Sequence, residues 1–350
     1  MGAKVAPCAL LLKGLYCAHT TMKNPHAIQR CLALGAVCFA LPLLGMRQDT
    51  AKFELVPNYF PSQPDNQPIG PAHGGAAVDR AGNVYVSTDT KRGILVFDSK
   101  GKFVRSFGPT HIHGLALFRE RGGEYLYCAR PDYNECEKLK LDGTEVWKLG
   151  YPEKSGIYAN ASEFHPTNVV AAPDGSVFVA DGYGKHWIHK YDAQLNYVKS
   201  FGGPGKVTPA EEGKFNTCHG LTVDTRGPKP MLFVCNRESN RVEHWDTDGN
   251  FVKILQRDLR MPAAVQIRGD YVAIGELQGR VTVLDKDNQI VAQLGDNPDP
   301  KKRANYGLPP SEWTDGVMDS PHGITFDRSG NIIVSEWSQF GRITKFAVKR

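Results

Sequence analysis

The 350-residue chain lacks several features that define other classes of protein. It has no dense run of Lys or Arg, and its net charge is only +5, so a nucleic-acid-binding surface is not indicated. It also lacks helical periodicity and a glycine-rich phosphate-binding loop. The chain does contain 41% hydrophobic and 23% charged residues, which excludes a disordered chain and allows a large core.

An apolar stretch near the N-terminus is too short for an ordinary membrane span. Residues 31–45 (CLALGAVCFALPLLG) are apolar throughout, whereas a spanning helix needs about 20 such residues. Three basic residues precede the stretch, as in a secretory signal: Lys23, His26 and Arg30. We predict that residues 1–50 are a signal peptide or membrane-anchor leader, with Met22 as an alternative start. The protein is then exported to the periplasm or the extracellular space, either free or membrane-anchored.

Residues 51–350 contain six copies of one unit: a strand, an Asp/Gly turn, a second strand, a polar loop and a third strand. AAVDRAGNVYVSTD (76–89) and ITFDRSGNIIVSEW (324–337) are two clear copies. The first strands of the six copies begin near residues 76, 115, 169, 221, 265 and 324.

This repeat predicts an all-β fold. Period-2 alternation interrupted by Asp/Gly turns indicates antiparallel hairpins, and a period of about 40–50 residues is typical of propeller blades. The last unit ends before its outer strand, which residues 53–56 (FELV) can supply, closing the ring. We therefore predict a six-bladed β-propeller, its ring closed by an N-terminal strand. A β-helix or two separate sandwiches are the alternatives.

Histidines stand directly before four of the first strands: His73, His113, His219 and His322. In a propeller the first strands line the central channel, so residues at their starts converge at one mouth. His113, His219 and His322 come from alternate units, about 120° apart around the axis. Three imidazoles around one point are a ligand set of catalytic zinc. Turn histidines that bond only to local backbone are the alternative.

The end of each second strand returns to the same mouth, because neighbouring strands are antiparallel. Arg130, Tyr183, Arg237 and Glu336 occupy such positions. We predict that Arg130 and Glu336, together with His73, bind the substrate.

The body of the chain contains four cysteines, which permit two disulfides in an exported protein. Cys218 begins the first strand and Cys235 ends the second strand of one unit, while Cys128 and Cys136 flank a single loop. We predict disulfides 218–235 and 128–136. Four buried thiols are the alternative, and zinc ligation by Cys218, beside His219, is a minor one.

Over roughly residues 70–346 these motifs resemble the peptidyl-α-hydroxyglycine α-amidating lyases, which have NHL-type propellers. PTNVVAAPDGSVFVADGY resembles the family stretch that carries a catalytic tyrosine, which maps to Tyr183. CHGLTVD and FVCNRESNRVEHW resemble the blade that carries a zinc histidine and a catalytic arginine, here His219 and Arg237. IHGLAL and SPHGITF resemble the other zinc-histidine segments, which map to His113 and His322.

The resemblance implies a zinc-dependent carbon–nitrogen lyase that converts a carbinolamide into an amide and a glyoxylate-like product. Zinc would be held by the three histidines. Tyr183 would be the general base, with its phenol made more acidic by nearby cations. Arg237, together with Arg130, would bind the carboxylate of a small-molecule or peptide substrate.

The chain departs from the family at three points. The family aspartate that follows the last zinc histidine and helps to hold a structural Ca²⁺ is Gly323 here, so calcium binding stays open. A family methionine is replaced by Ser320, and the family's first-blade arginine has no counterpart. A different zinc lyase or hydrolase on the same scaffold is therefore an alternative. A non-catalytic propeller that binds a protein or a glycan is another.

Overall fold

A computed structural model describes residues 52–60, 68–206 and 211–349. The predicted leader and the alternative start at Met22 lie outside the described residues. Within these ranges no helix has the length and apolar character needed to cross a membrane. The helical elements described are short 3₁₀ turns: Pro131–Tyr133, Glu153–Ser155, Ala161–Glu163, Arg237–Ser239 and Pro310–Glu312.

The strands form six antiparallel four-stranded sheets, and the first half of the ring is built as follows. After β1 (Lys52–Leu55), blade 1 contains β2 (Ala76–Val78), β3 (Val84–Ser87), β4 (Ile94–Phe97) and β5 (Phe103–Phe107). Blade 2 contains β6 (Gly114–Glu120), β7 (Gly123–Arg130), β8 (Glu135–Lys140) and β9 (Glu145–Leu149). Blade 3 contains β10 (Asn168–Ala171), β11 (Val177–Ala180), β12 (Trp187–Tyr191) and β13 (Tyr197–Gly202).

The second half repeats this arrangement. Blade 4 contains β14 (Cys218–Asp224), β15 (Met231–Asn236), β16 (Arg241–Asp246) and β17 (Phe251–Gln256). Blade 5 contains β18 (Pro262–Arg268), β19 (Tyr271–Glu276), β20 (Arg280–Leu284) and β21 (Ile290–Leu294). Blade 6 contains β22 (Pro321–Phe326), β23 (Ile332–Glu336) and β24 (Arg342–Lys349), with β1 as its outer strand.

The pairing of β1 with β24 closes the ring. Phe53 lies opposite Val348 and Leu55 opposite Phe346 in an antiparallel register. The innermost strands β2, β6, β10, β14, β18 and β22 each contact the next, and β22 contacts β2. The predicted six-bladed propeller and its closure by an N-terminal strand are thus confirmed.

Asp/Gly turns fix the ends of the hairpins remote from the histidines. In blade 1, Asp79 accepts hydrogen bonds from the backbone N–H of Asn83 at 2.8 Å and from its side-chain amide at 2.8 Å. Gly82 adopts a φ of +94°, a left-handed conformation that favours glycine. Asp327, Gly330 and Asn331 repeat the same arrangement in blade 6.

The core is divided among the blade interfaces. Successive side chains of a strand face opposite sides of its sheet, so each inner strand fills two interfaces. In β7, Cys128 packs between blades 1 and 2, and its neighbour Ala129 packs between blades 2 and 3. Burial on both sides explains why β3, β11 and β20 are buried along their whole length.

The predicted disulfides are wrong, because the strand register places the paired cysteines on opposite faces of their sheets. Cys136 lies opposite Ala129, one residue past Cys128, and Cys218 lies opposite Asn236, one residue past Cys235. All four are buried free thiols, in four different blade interfaces. Cys218 packs in the apolar core between blades 3 and 4, where its thiol faces the Trp187 carbonyl, so it is not a zinc ligand.

We expect alkylation without reductant to show this thiol state directly. Iodoacetamide should leave Cys128, Cys136, Cys218 and Cys235 unmodified in the folded protein, because burial excludes the reagent and raises the thiol pKa. After denaturation without reductant, peptide mapping should find all four carbamidomethylated. A disulfide-linked peptide containing any of them would contradict the structure.

Candidate metal centre and its mouth

The three predicted histidines meet on the propeller axis. His113 precedes β6, while His219 and His322 lie at the starts of β14 and β22, on alternate blades. Their ring centroids are 4.7–4.8 Å apart in every pairing. Each offers one nitrogen within 4.8 Å of the other two, and all three side chains are buried. The spacing-based prediction of convergence is confirmed by this geometry.

Hydrogen bonds to the next blade orient two of these rings. His113 Nδ1 lies 2.8 Å from the carbonyl of Thr167, and His219 Nδ1 lies 2.6 Å from the carbonyl of Ala263. Because a carbonyl oxygen only accepts, each Nδ1 carries the hydrogen and each Nε2 keeps its lone pair. His322 Nδ1 is buried and has no hydrogen-bond partner among the described residues.

The Tyr183 hydroxyl lies against the two Nε2 lone pairs. It is 3.0 Å from His113 Nε2 and 3.1 Å from His219 Nε2. One hydroxyl hydrogen cannot satisfy two acceptors, so at least one buried lone pair lacks a donor. A divalent cation bound to the three nitrogens would give each of these lone pairs a partner. The residues therefore fit a metal ion.

Electrostatics also favour a metal. Burial lowers the pKa of all three imidazoles well below the usual histidine range, and neighbouring cationic groups lower it further. Neutral imidazole is the form that ligates metals, so protons do not compete for these nitrogens near pH 7.

Arg237 completes a polar cluster around Tyr183. Its Nη1 donates to the Tyr183 oxygen at 3.0 Å, and its Nε donates to Glu238 at 3.0 Å. Burial raises the pKa of Tyr183, and Arg237 acts in the opposite direction without outweighing it. The expectation of a more acidic phenol is therefore wrong for the chain without a metal ion.

A cavity of about 180 Å³ opens above this cluster. Two apolar residues, Leu277 and Trp337, form part of its wall. Both follow the last residue of a second strand, directly after Glu276 and Glu336; this position points to Trp337 in the sequence, whereas Leu277 was missed. The remaining lining residues are His73, Tyr183, Arg237 and His322.

His73 lies at the mouth, but it is not at the structural position of the other histidines. Ser87 N–H bonds to the Gly75 carbonyl, so Gly75 corresponds to Gly114 of blade 2 and Gly74 to His113. His73 is one residue earlier, and its Nδ1 lies 2.9 Å from Asp89 Oδ2. Its Nε2 has no protein partner within the described ranges.

Arg130 forms ion pairs within blade 2 and does not line the mouth cavity. Its Nη1 lies 2.6 Å from both Glu135 and Glu137, its Nε donates to the Thr110 carbonyl at 3.2 Å, and it is 7% exposed. These buried ion pairs satisfy the guanidinium within blade 2. Arg130 is not among the residues that line the mouth cavity, since its sequence position gives the end of the strand and not the side-chain direction. Its contact with substrate stays a prediction.

Glu336 likewise has structural partners and does not line the mouth cavity, and its contact with substrate stays a prediction. Its Oε1 accepts the backbone N–H groups of Asp319 at 2.5 Å and Ser320 at 2.8 Å, just before His322. Asp181 and Glu276 accept backbone N–H groups of the preceding loop in the same way. Side chains at the ends of second strands thus hold the loops that deliver the first strands.

The channel below the histidines does not reproduce the family's calcium site. A Cβ at Gly323 would overlap the carbonyl oxygen of Gly74, so no carboxylate fits at this position. The channel residues Gly75, Gly114, Asn168 and Ala264 supply no carboxylate either, and neither do the other described residues lining this cavity. This layer therefore lacks the carboxylate ligands that Ca²⁺ sites in proteins usually include.

Solved structures share this fold at low sequence identity, whereas no protein-family model and no curated protein matches the chain. A streptogramin B lyase is 15% identical, with a TM-score of 0.55 over 85% of this chain and 98% of that chain. Virginiamycin B lyase from Staphylococcus aureus is 15% identical, with a TM-score of 0.54 over 85% of this chain and 100% of that chain. A gluconolactonase from Xanthomonas campestris is 12% identical, with a TM-score of 0.57 over 81% of this chain and 88% of that chain. Identities this low show the propeller fold alone.

Metal analysis of His219→Gln tests the centre. Zinc-loaded, desalted wild-type protein should retain about one zinc per chain, and the variant should retain close to none, because two imidazoles hold zinc poorly. His244→Gln is the matched control, since His244 is a buried histidine that bonds to Asp224 away from the centre. Full zinc occupancy in His219→Gln would contradict the three-histidine site.

Thermal unfolding separates zinc from calcium. Zinc at 100 times its dissociation constant should stabilise the apo-protein by about 2.7 kcal/mol, since it binds only the folded site. Calcium should leave the midpoint unchanged. A calcium-specific rise would show a carboxylate site that the channel does not contain.

Proposed function

We propose that the chain is a zinc-dependent lyase resembling peptidyl-α-hydroxyglycine α-amidating lyase, cleaving the C–N bond of a carbinolamide. The observation that carries the proposal is the position of one hydroxyl. Tyr183 oxygen contacts two metal-competent imidazoles and Arg237 at 3.0–3.1 Å. A proton-transfer group and a carboxylate-binding cation therefore lie together at the metal centre.

His113, His219 and His322 would hold the zinc ion. Zinc at this position supplies Lewis acidity, which lowers the pKa of a hydroxyl that it contacts. Tyr183 is placed to accept that hydroxyl proton, because its oxygen lies beside Nε2 of His113 and of His219. A bound dication would also oppose the effect of burial on the Tyr183 pKa and favour the phenolate.

The other mouth residues suit the rest of the substrate. Arg237 is paired with Glu238 through Nε and Nη2, and its Nη1 lies at Tyr183, where it can also donate to a substrate carboxylate. The unpartnered Nε2 of His73 is available for a hydrogen bond to the substrate. Leu277 and Trp337 form an apolar wall for the acyl part of the amide.

The proposed step balances through Tyr183. Its phenolate accepts the hydroxyl proton, the C–O bond becomes a carbonyl and the C–N electron pair leaves with nitrogen. Tyr183 then returns the proton to nitrogen, which releases an amide and an aldehyde acid of the glyoxylate type. Water is neither consumed nor produced, and this separates the lyase from a hydrolase on the same scaffold.

Substitutions at the mouth test this assignment on an α-hydroxyhippurate-type substrate. Tyr183→Phe should lower kcat by roughly 10²- to 10⁴-fold, the usual contribution of general acid–base catalysis, while retaining zinc. Arg237→Gln should mainly raise KM, by about tenfold or more, because a charge-assisted hydrogen bond is lost. Tyr133→Phe, at an exposed tyrosine outside the mouth, is the control and should behave as wild type.

Three outcomes would contradict the proposal. Undiminished kcat in Tyr183→Phe would show that Tyr183 is not the general base. Release of a carboxylic acid that carries ¹⁸O from water, in place of the amide, would indicate hydrolysis of the acyl–nitrogen bond. Turnover of lactones without turnover of carbinolamides would leave the metal centre intact and replace the lyase with a hydrolase.

A further inference from the structure

The loop that carries Tyr183 is held by one buried carboxylate. Residues 181–186 connect β11 to β12, and Asp181, the first of them, is 0% exposed. Asp181 Oδ1 accepts the His165 N–H at 2.7 Å, and Oδ2 accepts the Lys185 N–H at 2.6 Å. The carboxylate thus links both ends of the loop to the segment before β10.

The loop backbone packs closely against its surroundings, including this carboxylate. A Cβ at Gly184 would overlap the Asp181 carboxylate, and a Cβ at Gly182 would crowd the carbonyl of Cys218. Tyr183 N–H also bonds to the His165 carbonyl at 3.2 Å. The course of the backbone through Tyr183 therefore depends on where Asp181 sits.

Tyr158 fixes Asp181 from the opposite side. It comes from the connection between β9 and β10, is 7% exposed, and donates its hydroxyl to Asp181 Oδ2 at 2.5 Å. The Tyr158 hydroxyl oxygen also lies 2.7 Å from His189 Nε2. Burial lowers the pKa of His189 to about 3, so this ring is neutral and carries one hydrogen.

The donor and acceptor of each hydrogen bond in this series can then be assigned. Since Tyr158 donates to Asp181, His189 Nε2–H donates to Tyr158, and His189 Nδ1 accepts from Ser200 at 2.7 Å. Tyr197 donates to Ser200 at 2.8 Å. Four side chains in series thus end on the carboxylate, an arrangement in which each hydrogen bond strengthens the next.

We infer that Tyr158 and Asp181 form a clamp that positions the Tyr183 hydroxyl at His113 and His219, with Asp181 acting as a positioning residue. The inference rests on the proposed function, because it assigns the clamp to the catalytic step. Neither residue lines the mouth cavity. Neither residue hydrogen-bonds to a histidine of the centre or to Arg237, so the clamp should act mainly on kcat, with KM and zinc stoichiometry retained.

Tyr158→Phe in the full-length, zinc-loaded protein is the test. Hydrogen exchange should accelerate in the peptide covering residues 181–187, because Asp181 loses a donor. We expect kcat to fall roughly ten- to hundredfold, the cost of misplacing a reacting group by about 1 Å, with KM and zinc stoichiometry unchanged. Asp181→Asn should likewise lower kcat and leave KM and zinc stoichiometry unchanged. It serves as the second variant if Tyr158→Phe does not fold.

Tyr85→Phe is the matched control for the loss of a buried tyrosine–aspartate bond. Tyr85 donates to Asp79 at 3.0 Å in blade 1, at the ends of the hairpins remote from the histidines. It should change exchange near residues 79–83 only, with wild-type kcat.

Unchanged exchange at residues 181–187 in Tyr158→Phe would overturn the clamp, and so would faster exchange with undiminished kcat. A wild-type protein that never turns over carbinolamides would refute the proposed function instead. Hydrogen exchange at residues 181–187 in Tyr158→Phe would then still show whether the clamp exists.

Discussion

Hydrogen bonds that pass from one blade to the next hold the candidate metal centre together. His113 and His219 each donate Nδ1–H to a carbonyl of the following blade, so their free nitrogens point to the axis only while neighbouring blades keep their relative positions. Ring closure by β1 and β24 maintains those positions. The metal site is therefore a property of the closed ring and not of any single blade.

This dependence explains which parts of the site the sequence predicted. Convergence of His113, His219 and His322 follows from symmetry, because equivalent positions on alternate blades of a closed ring must face one another. Tyr183 was assigned by resemblance, and its hydroxyl lies at the histidines. The repeat spacing likewise predicted both the number of blades and the closing strand.

Spacing does not encode side-chain direction or strand register. Arg130 and Glu336 lie at the predicted ends of second strands, yet buried partners draw them away from the mouth. The cysteine pairs failed because neighbouring residues of a strand face opposite sides of the sheet. His73 appeared equivalent to the other histidines because an additional residue before β2 shifts the alignment by one position.

The central claim is that three imidazoles from alternate blades bind one zinc ion. X-ray absorption spectroscopy at the zinc edge of the loaded protein tests it most directly. The structure predicts a first shell containing three imidazole nitrogens at about 2.0–2.1 Å, with their outer-ring scattering, and no sulfur. A shell with sulfur at about 2.3 Å, or with fewer than three imidazoles, would contradict it.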